Sequence, residues 1–399
     1  MAKVLFLTTQ LPFPPESGGV LKSWNLVKAL AAHHELGMVT LLKGKDERHE
    51  AEFRKQVEIR DYQSYPCDNP RNLKTVVNSY LRSRTLNIYR NYSPQAKAGI
   101  EQLAASYDLL IADHYEMFQY VPANFKGRVI LHEHNAEYVM WDRFASVENN
   151  LLRKNVLFLE SRRIKNAEKQ YCRRADRIWA APNDQQALQK LGIPAQKFAT
   201  TYHLGNDALL QEPDLIFKQT ELNLAFIGTL SWEANIDGVI HFLKNIFPKI
   251  LDKKPETTFT IIGKDADSRL KKAASPYGNQ VVFTGFVPEL EPWLSKARVF
   301  VLPLRFGSGM KVKFLDAMYR GIPVVSTPVG AEGLEVRHEK EAMITADPVQ
   351  FAEACLLLLE DTEKWNEMSQ VSRQLARDRY TWKAHLQDLM NDIQTLLNS

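Results

Sequence analysis

Short apolar runs that alternate with helix-like segments, in both halves of the chain, constrain its fold more than any other feature. In the first half the runs are Val4 to Thr8, Gly37 to Leu42, Asp108 to Ala112, Val129 to His132 and Arg177 to Ala181. In the second half they are Leu222 to Ile227, Thr258 to Ile262, Val281 to Thr284, Arg298 to Leu302 and Pro323 to Ser326. Runs this short and this apolar read as strands buried on both faces, and strands separated by helices build parallel sheets with helices on either side. A chain of 399 residues exceeds one ordinary core, so two α/β units are expected. Leu204 to Phe217 carries Gly205, Asn206, Asp207 and Pro213 without a clear period, and the boundary is placed there. The expected domains are 1–205, 206–378 and a terminal helix within 379–399.

Composition narrows the function. Hydrophobic residues make up 45% and charged residues 25%, the balance of a globular protein rather than a disordered one. A net charge of +4 is too small for a dedicated nucleic-acid binder. No apolar run is long enough to span a bilayer, and the N-terminus lacks the pattern of a signal peptide, so the chain is expected in the cytoplasm. Cys67, Cys172 and Cys355 are far apart without metal-ligand spacing and are expected as reduced packing residues.

In open parallel sheets, ligands sit beyond the carboxyl ends of the strands. The turn Gln10 to Val20 after the first strand contains Gly18 and Gly19, which let a backbone approach a ligand where a helix begins. After Val129 to Leu131 come His132, Glu133 and His134, suited to proton transfer or hydrogen bonding but not spaced as a zinc helix motif. The most specific unit is Val299 to Ser326: a strand, a turn loosened by Gly307 and Gly309, a helix that should stop at Gly321, and a second strand. Amides at that helix start, flanked by Arg305, Lys311 and Lys313, form an anion site suited to a phosphate or diphosphate. On a helix Lys311 and Lys313 diverge by roughly 200°, so one of them, Lys311 nearer the start, is expected to face the ligand. Asp265 and Asp267 form a DxD triplet, read as a helix cap or solvated loop rather than a metal site.

Taken together these turns resemble the retaining family-4 glycosyltransferases of GT-B fold, over nearly the whole chain. The marks are Gly18-Gly19, His134-Asn135-Ala136-Glu137, Gly228-Thr229-Leu230 through Asn235, and the stretch from Pro303 to Thr327. Tyr380-Thr381-Trp382 looks like the family's aromatic signature before a last helix that crosses back to the first domain. Among these enzymes the chain is most similar to bacterial sugar transferases of exopolysaccharide or other cell-envelope glycans.

The resemblance implies two Rossmann-like, doubly wound parallel-sheet domains facing a central cleft, the first for the acceptor and the second for a nucleoside-diphosphate sugar. It implies a retaining, hexosyltransferase-type enzyme with a glycan or lipid-linked acceptor and no metal or other cofactor. His134 would contact the transferred sugar, and Gly18 and Gly19 would face the phosphates or sugar. Gly228 would end the donor domain's first strand, and Gly309, Met310, Lys311 and Val312 would present amides to the diphosphate or sugar. Phe286 and Val287 would frame the base, and Asp316 would accept the ribose hydroxyls. Two departures stand out: Ser308-x7-Asp316 replaces the family's E-x7-E pair, and no cation follows Gly228 between Ser231 and Asp237. Lys311 and Arg305 are the expected replacements for stabilising the leaving group. Competing expectations are a nucleotide-sugar epimerase on the same fold and a nucleotide-binding scaffold without catalysis. A nicotinamide dehydrogenase is disfavoured, because neither half has GxGxxG after its first strand.

Leu151 to Arg177 holds nine Lys or Arg against three Asp or Glu, with Leu157, Ile164, Ala167 and Tyr171 on one stripe. With Arg71 to Arg90 as a second contact, it is expected to place the protein peripherally on an anionic membrane surface.

Overall fold

The computed structural model describes residues 1–399 except Glu16, Ser17, Lys45, Arg71, Asn149 and Ser308. The departure noted at Ser308, and the Arg71 end of the second basic segment, therefore lie outside the described residues. The chain forms two compact units, Met1–His203 with Trp382–Ser399, and Leu204–Thr381.

The first unit is built on seven strands: β1 Lys3–Thr8, β2 Glu35–Leu42, β3 Asp61–Pro66, β4 Leu109–Asp113, β5 Arg128–His132, β6 Arg177–Ala180 and β7 Phe198–Thr200. Their order is β3-β2-β1-β4-β5-β6-β7, parallel throughout. The second unit has β8 Asn223–Ile227, β9 Thr258–Ile262, β10 Val281–Gly285, β11 Val299–Leu302, β12 Val324–Ser326 and β13 Met343–Ile344. Its order is β10-β9-β8-β11-β12-β13, again parallel. All ten apolar runs fall on strands. The three strands that the sequence reading passes over, β3, β7 and β13, all lie at sheet edges. An edge strand needs no continuous apolar run, and β3 reads Asp-Tyr-Gln-Ser-Tyr-Pro with its residues only half-buried or exposed.

Side-chain alternation divides each central strand between two cores. Leu5, Leu7, Leu110, Ala112, Leu131 and Ile178 enter one core of the first unit. Val4, Phe6, Leu109, Ile111, Ile130 and Trp179 enter the other, where Leu389, Met390, Ile393 and Leu396 of the helix Trp382–Leu397 complete the packing. Trp179 Nε1 also donates to Asp392 at 2.8 Å, which fixes that helix against β6. In the second unit the helix Val312–Arg320 stops at Gly321, whose φ of 80° allows the left-handed C-cap that closes it. Cys67, Cys172 and Cys355 are buried and free. Among the described residues no helix is long and apolar enough to cross a membrane.

In each sheet the strand order reverses beside the first strand, between β1 and β4 and between β8 and β11. These are the topological switch points where parallel sheets bind ligands.

Candidate functional site

Register alone brings three polar side chains into a row at the first switch point. Thr8 at the end of β1 stands opposite Asp113 at the end of β4, and Asp113 stands opposite His132 at the end of β5. Asp113 is fully buried and is the hub. It accepts from Thr8 Oγ1 at 2.8 Å, from Ser23 Oγ at 2.7 Å, and from His132 Nδ1 and His134 Nε2 at 2.8 Å each. Ser23 comes from the helix Gly18–His33, so the glycine turn is tied to the same carboxylate. A Cβ on Gly19 would lie 3.6 Å from His134 Nδ1, so the structure brings Gly19 and His134 together. The His114 ring stacks on that of His134 with centroids 3.6 Å apart, and His203 Nε2 donates to the His134 carbonyl at 2.8 Å.

Burial decides the charge states. Burial alone would raise the Asp113 pKa, but the neighbouring His134 and His114 and the hydrogen bonds from His132 and His134 outweigh it and hold the carboxyl well below its usual range. Burial drives His132 and His134 down to about 3, against the pull of Asp113, and drives His114 and His203 well below their ordinary value. The stable arrangement is an ionised aspartate among neutral imidazoles. Because His134 Nε2 carries the proton given to Asp113, Nδ1 is the acceptor nitrogen, and it lies on the Gly19 side.

Lys22, one turn into the same helix, is buried and its ammonium has no hydrogen-bond partner among the described residues. Burial lowers its pKa to about 7, while Asp113, Asp184 and Glu133 act to keep it charged. Asp113, His114, Lys22 and His203 join the site without any motif in the sequence to mark them. A lysine in a helix reads as solvent-facing, and only the strand-end position of Asp113 could have signalled its role.

Asp113, His132 and His134 place one oxygen and two nitrogens within 4.8 Å of one another, a donor set that could hold a divalent cation. Both nitrogens aim at the same carboxylate oxygen at hydrogen-bond distance, so the three also satisfy one another as they stand.

At the second switch point the glycines crowd the strand ends. Gly228 N donates to Ile262 O and Gly263 N to Gly285 O, and a Cβ on Gly263 would fall 1.8 Å from Gly228 O. Phe286 is 60% exposed immediately after β10, and Val287 beside it is half-buried. Across Gly228, Asn235 Nδ2 donates to Thr229 O at 2.8 Å, which turns Asn235 Oδ1 toward the Lys313 ammonium at 2.7 Å. A Cβ on Gly228 would lie 2.8 Å from Lys313 Nζ. Lys313 also sits 4.5 Å from the Phe226 ring centroid. Burial, then the charge of Lys311, lower its pKa to about 7, while Asp316 raises it.

This placement differs from the expectation that Lys313 turns away. The helix begins at Val312, and Lys311 precedes it as an extended cap residue with φ −100° and ψ 98°, so the helical divergence between the two lysines does not apply. Lys311 is buried and donates to Gly309 O. Met310 is buried beside it. Arg305 is held fork-wise by Asp237, with Nε 2.8 Å from Oδ2. Asp316 is buried, and its Oδ1 accepts from Asn206 N at 2.9 Å, so it anchors the start of this unit. Burial raises Asp316 to about 6, against the Asn206 hydrogen bond and the charge of Lys313. Asp267 of the DxD triplet caps the helix Ser268–Ala274 and pairs with Arg269.

Comparison with known proteins follows the same division. Residues 221–361 match the family described as "Glycosyl transferases group 1". A Klebsiella pneumoniae protein described as an uncharacterized 44.6 kDa protein in the cps region is 23% identical over 363 residues, 88% of this chain and 89% of its own. The Vi polysaccharide biosynthesis protein VipC/TviE of Salmonella typhi is 32% identical over 109 residues, 25% of this chain and 19% of its own. Among solved structures, Anabaena HepE in complex with UDP and glucose superposes with a TM-score of 0.70 at 16% identity, covering 99% of this chain and 100% of that one. The chain has the GT-B fold, and through its second unit it is related to the group 1 glycosyltransferases.

Proposed function

We propose that the protein transfers a sugar from a nucleoside-diphosphate sugar to an acceptor hydroxyl, with retention at the anomeric carbon, in the synthesis of a cell-envelope or exopolysaccharide glycan. The observation that carries this reading is the half-buried Lys313, its ammonium held by Asn235 beside the Gly228 turn of the unit that matches the group 1 glycosyltransferases. The name of the Vi polysaccharide relative and the UDP and glucose of HepE support the polysaccharide context and the donor class.

In this reading the second unit holds the diphosphate. Lys313, with Lys311 behind it and the amides of Gly309 to Val312, meets the negative charge that grows on the leaving group as the sugar bond breaks. Phe286 and Val287 frame the base. The departing phosphate accepts the acceptor's proton on the face it leaves, so no protein nucleophile is required. His134 is assigned to a hydroxyl of the transferred sugar, which its Nδ1 accepts while Asp113 fixes the ring. His134→Ala is then expected to lower turnover about a hundredfold, with nucleoside-diphosphate affinity within about twofold of wild type. Equal losses in both, by steady-state kinetics and calorimetry, would remove His134 from the sugar.

We also propose that no metal is needed, because cations and amides already serve the diphosphate. A thermal-shift panel of nucleotide sugars tests the whole reading. One donor should raise the melting temperature by mass action, and the shift and subsequent transfer should persist in excess EDTA. Turnover of the donor without any acceptor would point instead to an epimerase. Binding without transfer would point to a scaffold.

A further inference from the structure

The long helix Leu151–Arg174 has an outer face that its inner stripe does not account for. Ile164 is buried and Leu157, Ala167 and Tyr171 are half-buried, as the stripe requires. Leu152, Val156 and Leu159, spaced toward Arg163 along a flank about a quarter turn from that stripe, are 76%, 43% and 53% exposed. The helix Leu73–Leu81 lies against the same region and adds Val77 at 48% and Leu81 at 78%. Arg163 joins the two helices: its Nη2 donates to Ser79 O at 3.0 Å, and its guanidinium lies 4.0 Å from the Tyr80 ring centroid.

The outward charge of the long helix is entirely basic. Its two acids are turned inward, Glu160 to Leu86 N and Arg163, and Glu168 to the amides of Glu137 and Tyr138. Arg153, Arg162, Lys165 and Arg173 remain exposed. Beside the apolar patch opens a cavity of about 510 Å³ lined by Arg84, Arg163 and Arg174, with Gln170, Phe118 and Tyr171 and no carboxylate. Arg84 Nη1 is buried there without a hydrogen-bond partner among the described residues, while its guanidinium stacks 3.8 Å from the Tyr92 ring. Arg163 is already paired with Glu160, so the guanidiniums of Arg84 and Arg174, in a cavity lined by no carboxylate, are the ones that call for an anion. Exposed leucines farther along the same long helix, and Leu81 at the end of the helix before Arg84, call for something apolar attached to that anion.

We propose that this surface docks on an anionic lipid bilayer, with a lipid phosphate seated in the Arg84–Arg163–Arg174 cavity and Leu81, Leu152 and Leu159 entering the interface. Basic side chains draw the face to the negative surface, and the leucines hold it at the acyl boundary. The surface belongs to the first unit alone and does not depend on the chemistry proposed above.

Flotation of the full chain with phosphatidylcholine vesicles, with and without an equal part of phosphatidylglycerol, tests this. The protein should bind the anionic vesicles at least about tenfold better, and high salt should weaken that binding. Arg84→Gln and Arg174→Gln should each lower it about fivefold, while Arg84→Lys with Arg174→Lys should retain most of it. The triple variant Leu81→Ser, Leu152→Ser, Leu159→Ser should lower it by at least about tenfold at an unchanged melting temperature, because these side chains are already exposed. Equal binding to both vesicles, no binding to either, or indifference to both sets of variants would overturn the proposal. Inorganic phosphate that protects the cavity while the leucine variant floats like wild type would mark a soluble-anion site, and would overturn it too.

Discussion

Acidification from about pH 7 to about pH 5 should cost the first unit about 2 kcal/mol of stability for each histidine that burial holds neutral, set against the opposite contribution of Glu133, Glu137 and Glu168, whose carboxyls burial raises. His132, His134 and His385 are held neutral, each near 3, by burial. In the unfolded chain each returns to about 6.5. Between those values the unfolded state binds protons that the native state refuses, so stability falls as pH falls. One histidine loses about 1.4 kcal/mol per pH unit, or about 2 kcal/mol by pH 5. His114 and His203 are displaced in the same direction and add to the loss. Asp113 works the same way at lower pH, since its depressed pKa stabilises the fold above the unfolded carboxylate range and is lost only below it. Lys22, Asp184 and Glu133 face this cluster, and the charge of Lys22 further disfavours protonated histidines. Urea unfolding at a series of pH values measures the slope. In His385→Gln that slope should fall by about 1.4 kcal/mol per pH unit, and a slope that this variant leaves unchanged would mean that the imidazole is not held neutral.

Asp113→Ala should destabilise the protein by about 3–5 kcal/mol, more than an ordinary core truncation of this size. The change removes the acceptor of four buried donors, Thr8, Ser23, His132 and His134. It also takes away a carboxylate that helps keep the buried Lys22 charged. Unsatisfied buried donors cost about 1–3 kcal/mol each before the structure relaxes. Asp113→Asn keeps the shape and one acceptor oxygen, so it should fall between wild type and alanine in stability. It should still slow turnover by changing which nitrogen of His134 carries the proton. Chemical denaturation and steady-state rates together check this. If Asp113→Ala is as stable as wild type, the aspartate is not the hub that its hydrogen bonds describe.

The parallel sheets were legible because their central strands are buried on both faces and so read as unbroken apolar runs. β3, β7 and β13 were not, since an edge strand can be polar and short. Gly19 and His134 were legible because they follow strands at a switch point, and the structure brings them together. Asp113 was hidden because a single carboxylate at a strand end has no sequence signature, and its partners come from β1, β5 and a helix far away in the chain. Lys22 was hidden because its helix buries the position where a lysine would ordinarily reach water. Lys313 was misjudged through one boundary residue. With the helix starting at Val312 rather than at the preceding turn, the side chain passes Phe226 and ends beside Gly228.

Lys313 also offers the most direct test of the account, because the donor reading rests on its ammonium. Calorimetric titration of the full chain with UDP, GDP and ADP should find one that binds, with uptake of part of a proton near pH 7.5, as the anion restores the charge of a lysine poised at about 7. Lys313→Ala should weaken that nucleotide by at least about tenfold, and Lys311→Ala by less. No binding of any nucleoside diphosphate at millimolar concentration, or equal affinity in wild type and Lys313→Ala, would contradict the assignment of this unit to a nucleotide-sugar donor.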